Sequence, residues 1–235
     1  MSLVVRGKGA AYGLPHKHFA ETAETGLSVF NDMVSATPEG FTTTSSPALT
    51  SVRADGTALL LDAADEIEFA NAYFTPADGV AFAGSSRVKI KFGADDVTAQ
   101  NIMFATDSTA DPTEKLGFQL ATSGANAAGT FTVVCKIDDG TTDDSVTVAA
   151  ADLPGGASFD PQVYHTYGVA YEPDSSGGGD AAFYVDGVLV AKVRLASTAN
   201  WNTAGLVWIQ TNLTASSTHD QAIDWISLGS ERVPV

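Results

Sequence analysis

Residues 181–195 read AAFYVDGVLVAKVRL, and the pair Asp186-Gly187 at their centre decides what kind of protein this is. Two apolar runs joined by Asp-Gly are the signal of a β-hairpin closed by a two-residue type I′ turn, because both central positions need positive φ and Asp-Gly tolerates it. The turn sets the register: Val185 faces Val188, Tyr184 faces Leu189 and Phe183 faces Val190. Opposed residues share a face, so Phe183, Val185, Val188 and Val190 form one apolar surface, and Ala182, Tyr184, Leu189 and Ala191 form another. Neither looks built for solvent, so the second face calls for a covering segment or another chain, with Tyr184 and Leu189 as its interface residues.

The same grammar continues on both sides. Arg87 to Phe92 alternates strictly, with Val88, Ile90 and Phe92 opposite Arg87, Lys89 and Lys91, as in a half-exposed strand. Residues 101–106, 116–122, 130–137, 145–150, 163–171, 206–211 and 222–228 are further short runs separated by Gly, Asp, Asn and Pro. Residues 26–51, rich in Thr and Ser, read as a connection holding one short helix or strand around Leu27–Val34. No fixed-period repeat argues for a propeller or solenoid. Many short strands with turns between them predict an all-β, antiparallel jelly-roll β-sandwich over residues 26–235.

Composition supports that class and narrows function. Hydrophobic residues make up 44% of the 235 and charged residues 17%, so the polar surface rests on Ser, Thr, Asn, Gln and Gly, which suits strands and turns. The net charge of -16 argues against nucleic acid and anionic membrane as partners, since phosphate binding needs clustered Lys and Arg. The first twenty residues run the other way. Arg6, Lys8 and Lys17 stand there without Asp or Glu, so this stretch carries +3 and the remainder -19. Residues 1–25 therefore read as an extended basic arm docking on an acidic partner surface, with a frayed terminus as the alternative. His16 and His18 lack the further ligands of a metal site. Cys135, the single cysteine, reads as a small buried hydrophobe. No apolar run suits a signal peptide or a membrane span, which leads us to expect synthesis in a cytoplasm.

The strand VYHTYGVAYEP (163–173), the Gly-rich loop after it, the FYVDG of 183–187 and the closing IDWISL (223–228) together resemble concanavalin A-like lectin and glucanase jelly rolls, laminin-G-like modules included. That resemblance spans roughly Tyr164 to Leu228, and the fold hosts lectins, hydrolases, adhesion modules and virion proteins alike. The hydrolases it implies, laminarinase-like glycosidases, set three carboxylates at alternate positions, Glu-x-Asp-x-Glu, so that one strand face carries them all. The nearest match here is Glu66-Ile67-Glu68-Phe69-Ala70, where the third position is Ala70 and the set comes early in the chain. The expectation is no enzyme and no catalytic residue.

Acidic loops at 107–111 and 138–144 could hold Ca²⁺, but without a recognisable ligand spacing the expectation is no cofactor and no metal site. Among the tryptophans, Trp208 and Trp225 sit in apolar settings that favour the core, leaving Trp201, between Asn200 and Asn202, as the one candidate sugar platform. Asn212-Leu213-Thr214 matches a glycosylation sequon by chance. In its Ala-, Thr- and Gly-rich style the chain also resembles the jelly-roll proteins that decorate tailed-phage heads. The reading is a non-enzymatic virion structural protein, a capsid decoration or cement protein at the capsid surface. Its partners would be the major capsid protein and further copies of itself as a trimer or dimer. The alternative is a lectin-like carbohydrate- or receptor-binding module.

Overall fold

The computed structural model describes residues 27–33, 38, 40–44, 48–53, 56–62, 65–74, 76, 79–91, 97–109, 112–122, 131–195, 201, 205–212 and 220–230. The basic arm of residues 1–25, with Arg6, Lys8, Lys17, His16 and His18, lies outside them. The described chain is built of strands: β1 (Leu27–Asn31), β2 (Phe41–Thr44), β3 (Ala48–Arg53), β4 (Gly56–Asp62), β5 (Glu66–Phe74), β6 (Phe82–Lys91), β7 (Val97–Ala105), β8 (Glu114–Thr122), β9 (Phe131–Asp139), β10 (Asp143–Ala149), β11 (His165–Pro173), β12 (Gly179–Val185), β13 (Val188–Leu195), β14 (Leu206–Asn212) and β15 (Asp220–Ser230). Two short 3₁₀ turns, Ala150–Asp152 and Gly156–Ser158, interrupt the run between β10 and β11.

These strands form two antiparallel sheets. One runs β13-β12-β11-β6-β15-β4-β3, with β1 also paired to β15, and the other runs β10-β9-β8-β7-β14-β5-β2. Alternation dictates which side chains meet between them. Val88 and Ile90 of β6, Tyr167, Val169 and Tyr171 of β11 and Phe183 of β12 point inward against Phe104 of β7, Phe118 of β8 and Trp208 of β14, all buried. Aromatic edges organise the contact: Phe104 meets Trp208 at 5.0 Å and 77°, and Phe118 meets Phe183 at 5.4 Å and 80°. Gly84 of β6 lies under Trp208, where a Cβ would come within 2.3 Å of the indole ring.

At one end of the sandwich the core turns polar. Gln221 of β15 donates to Gln100 of β7 at 2.6 Å and to the Thr211 carbonyl at 2.7 Å, and Gln100 donates to Asn212 at 3.1 Å. Asn212 then reaches back across to the Leu61 carbonyl of β4 at 3.2 Å. This chain of buried amides ties the sheets together through groups that are costly to leave without partners. It also hides Asn212 completely, which removes the acceptor of the sequon from any modifying enzyme in the folded state.

The hairpin departs from the expected register after two pairs. Asp186 and Gly187 have φ of 49° and 78°, as the turn requires, and Val185↔Val188 and Tyr184↔Leu189 pair as read from sequence. Phe183 then pairs with Ala191 rather than Val190, through a β-bulge in β13. The extra residue sends Ala191, Val193 and Leu195 into the core and turns Lys192 and Arg194 outward, opposite Ala182 and Asp180. The second face is therefore not apolar along its length. It carries ion pairs, Lys192 to Asp180 at 2.6 Å and Arg194 to both Asp180 and Asp174.

Candidate functional site

What the bulge leaves apolar and outward is the hairpin tip. Val188 and Leu189 are each 53% exposed, and half-buried Tyr184 lies directly across from Leu189. Val188 was expected on the buried face, and its exposure corrects that reading. Val163, just before β11, is 50% exposed.

A compact polar clip holds the tip. His165, the first residue of β11, places Nδ1 2.6 Å from the Asp186 carboxylate in the turn and Nε2 2.9 Å from the Asp160 carbonyl. The Phe159 ring stacks on the imidazole at 4.1 Å and 24°. The second Asp186 oxygen accepts the Thr166 amide proton at 2.8 Å, and the Asp186 amide donates to the Thr166 carbonyl at 2.8 Å. Burial of Asp186 works against its charge, but the hydrogen bonds from His165 and Thr166, aided by Arg87, more than offset it and hold the carboxyl below the usual carboxylate range. Asp186 thus does more than tolerate positive φ: it ties the turn to the strand and to the segment preceding it.

The outer face of the eight-stranded sheet carries a second grouping. Trp225 is half-buried there, its ring 5.9 Å from Phe30 of β1, rather than in the core as its neighbours suggested. The cause is a bulge in β15 between Ile223 and Trp225, which inserts Asp224 and pairs Trp225 with outward-facing Arg87. Arg87 binds buried Asp224 and lies over the Tyr164 ring at 5.1 Å. Trp201, in contrast, is only 4% exposed and packs into the main core, so it offers no sugar platform.

Glu66 and Glu68 lie on the outer face of the seven-stranded sheet, paired with Thr44 and Thr42 of β2 on one side and with Thr211 and Ile209 of β14 on the other. The Glu68 carboxyl is pushed up by partial burial and then by Glu66. Beside them Met103, Ala105, Val207 and Ile209 form a small apolar cluster separate from the main core. The acidic loop after β9 uses its oxygens locally: Asp138 accepts from the Gly140 amide at 2.8 Å and the Lys115 ammonium at 2.8 Å, while Asp139 accepts the Thr141 and Thr142 amides at 3.0 and 2.7 Å. Among the described residues, no three His, Cys, Asp or Glu side chains group as metal ligands, and no helix is long and apolar enough to cross a membrane. Burial pushes the Cys135 thiol up to about 12, so it remains a packed thiol rather than a nucleophile.

No protein-family model matches this sequence, and no curated protein matches it. Solved structures do. The carbohydrate recognition domain of Emp47p is 14% identical, with a TM-score of 0.53 over 97% of this chain and 100% of that one. Peanut lectin is 14% identical, with a TM-score of 0.55 over 87% and 97%. A conserved carbohydrate esterase from the Shiga toxin-encoding bacteriophage phi24B is 16% identical, with a TM-score of 0.51 over 84% and 91%. The fold is the concanavalin A-like jelly roll. At these identities the likeness concerns the fold alone, one shared by carbohydrate-recognising proteins and a phage protein. Within this jelly roll the His165–Asp186 clip and the bulge of β13 are the features that sequence reading missed. The Asp186 half of the clip lay in plain view, but its partner sits 21 residues away and only the β11–β12 pairing brings them together.

Proposed function

We propose that this concanavalin A-like jelly roll is a non-enzymatic virion structural protein of the capsid decoration type, which binds the head shell and stabilises it. The observation that carries the reading is the tip of the β12–β13 hairpin, an exposed apolar element that is already ordered. An apolar tip held by fixed hydrogen bonds loses little conformational freedom on docking, so more of its contact area becomes affinity. Tyr184 and Leu189 are the anchoring pair, with exposed Val188 next in the chain, and the partners are the major capsid protein and neighbouring copies of this chain. The basic arm, with Arg6, Lys8 and Lys17, would add attraction to an acidic shell, an effect weakened by salt. Glu66 and Glu68, flanked by threonines and Ile209 and lacking a third carboxylate at Ala70, argue for binding rather than hydrolysis. The test is mixing the protein with empty shells that lack it. Binding by the wild type, reduced at least tenfold in Leu189→Asp, supports the reading, and failure to bind at any salt concentration removes it.

A second reading, a carbohydrate-binding module, rests on Trp225 with Phe30 and Arg87 on the outer face of the eight-stranded sheet, since a half-buried indole can stack on the apolar face of a sugar. Glycan-array binding that Trp225→Ala abolishes would favour it, and an array blank with and without calcium would dismiss it.

A further inference from the structure

We infer that the His165–Asp186 clip is a proton-operated latch on the hairpin tip, closed when the imidazole carries both protons and loosened when it loses one. The assignment comes from counting protons on fixed atoms. The Asp160 carbonyl can only accept a hydrogen bond, so the Nε2 that faces it at 2.9 Å must carry a proton. Asp186 presents an ionised carboxylate whose other oxygen already accepts the Thr166 amide, so Nδ1, 2.6 Å away, must carry one too. Both contacts therefore exist together only with the imidazolium. A neutral ring keeps one of them and turns a lone pair toward an acceptor at the other, whichever tautomer forms.

The charged groups around the ring agree with this. Asp186 is the anion in direct contact, and its carboxyl stays below the usual carboxylate range, so it remains ionised wherever histidines titrate. Arg87 of β6 also favours the Asp186 charge but is itself engaged by Asp224 and the Tyr164 ring. The Asp160 carboxylate, next to the carbonyl that meets Nε2, accepts the Gln162 amide at 2.9 Å. The Tyr167 hydroxyl, pushed far up by burial and then by Asp186, stays neutral. No other ionisable side chain contacts the ring among the described residues.

Three segments meet at the latch: the stretch ending in Phe159 and Asp160, the start of β11, and the turn that carries Val188 and Leu189. The sign follows from the proton count. The latch is closed while the ring holds both protons, opens when rising pH removes one, and opens from the other side only in strong acid when Asp186, held below the usual carboxylate range, protonates. Presentation of the apolar tip is therefore firmest while the imidazole is doubly protonated.

Hydrogen exchange of the intact chain at pH 5.5 and pH 8, corrected for intrinsic rates, tests the latch without reference to what the tip binds. Protection of residues 159–166 and 183–190 is expected to fall about tenfold at the higher pH, as loss of one charge-assisted hydrogen bond implies, while the β7–β8 core stays unchanged. Asp186→Asn supplies the decisive variant. Its amide keeps the Thr166 contact and can donate to a neutral imidazole, so the clip should close at pH 8 and loosen at pH 5.5. His165→Gln should abolish the dependence in both directions. Equal wild-type protection at the two pH values, or a dependence of unchanged sign in Asp186→Asn, would overturn the latch.

Discussion

At the scale of single residues, the placement of two tryptophans shows how context overrides neighbourhood in sequence. Trp201 stands between two asparagines and nevertheless fills the core, so Trp201→Ala should cost about 3–5 kcal/mol by chemical denaturation and should leave any sugar binding untouched in the protein that remains folded. Trp225 sits among apolar neighbours and yet lies outward, because one inserted residue, Asp224, reverses its side of the strand. No reading of period two could have located that bulge. Gly84 makes the complementary point: a methyl group there meets the Trp208 ring at 2.3 Å, so Gly84→Ala should destabilise by about 1–3 kcal/mol as a packed core is forced apart. Glu68 offers a pH test. Its carboxyl is raised in the folded state by burial and by Glu66, so the ionised form is a liability that grows as pH rises through the raised value. Glu68→Gln should therefore be more stable than wild type near pH 7, with the gap closing in acid; a pH series of thermal melts reads this out, and a loss of stability at pH 7 would contradict it.

At the scale of elements, the strands with clean alternation were legible and those built of small or polar residues were not. β8, β9 and β14 appear where the apolar period placed them, to within two residues at their ends, and β6 holds Arg87 to Lys91 of the alternating run but begins earlier, at Phe82. The four residues of β2, FTTT, and the six of β3, ALTSVR, gave no such signal. They take extended form because β5 and β4 offer them edges to pair with, which is a property of the assembled sheet rather than of their own residues. The buried amides at the sandwich end are likewise invisible in sequence, since Gln100, Asn212 and Gln221 look like surface residues until two sheets enclose them. Gln221→Leu should cost about 2–4 kcal/mol, because it takes the side-chain donor from the buried Gln100 Oε1 and from the Thr211 carbonyl at once. The turn of the hairpin was read correctly and its consequence incorrectly: Asp186-Gly187 fixed two pairs, after which the bulge at β13 turned Lys192 and Arg194 outward and confined the apolar outer surface to the tip.

At the scale of the whole molecule, a concanavalin A-like jelly roll of net charge -16 presents a small ordered apolar element, acidic loops whose carboxylates are engaged by nearby amide and ammonium protons, and two carboxylates at alternate positions of β5 with Ala70 in the third place. On the proposed reading, such a surface holds a partner in place. The most direct measurement is co-sedimentation of the full-length protein with empty head shells that lack it, for wild type and Leu189→Asp side by side. Saturable binding by the wild type at a fixed ratio to the shell subunits, weakened at least tenfold in the variant, is the predicted result. Wild-type protein left entirely in the supernatant at low and high salt would contradict the decoration role.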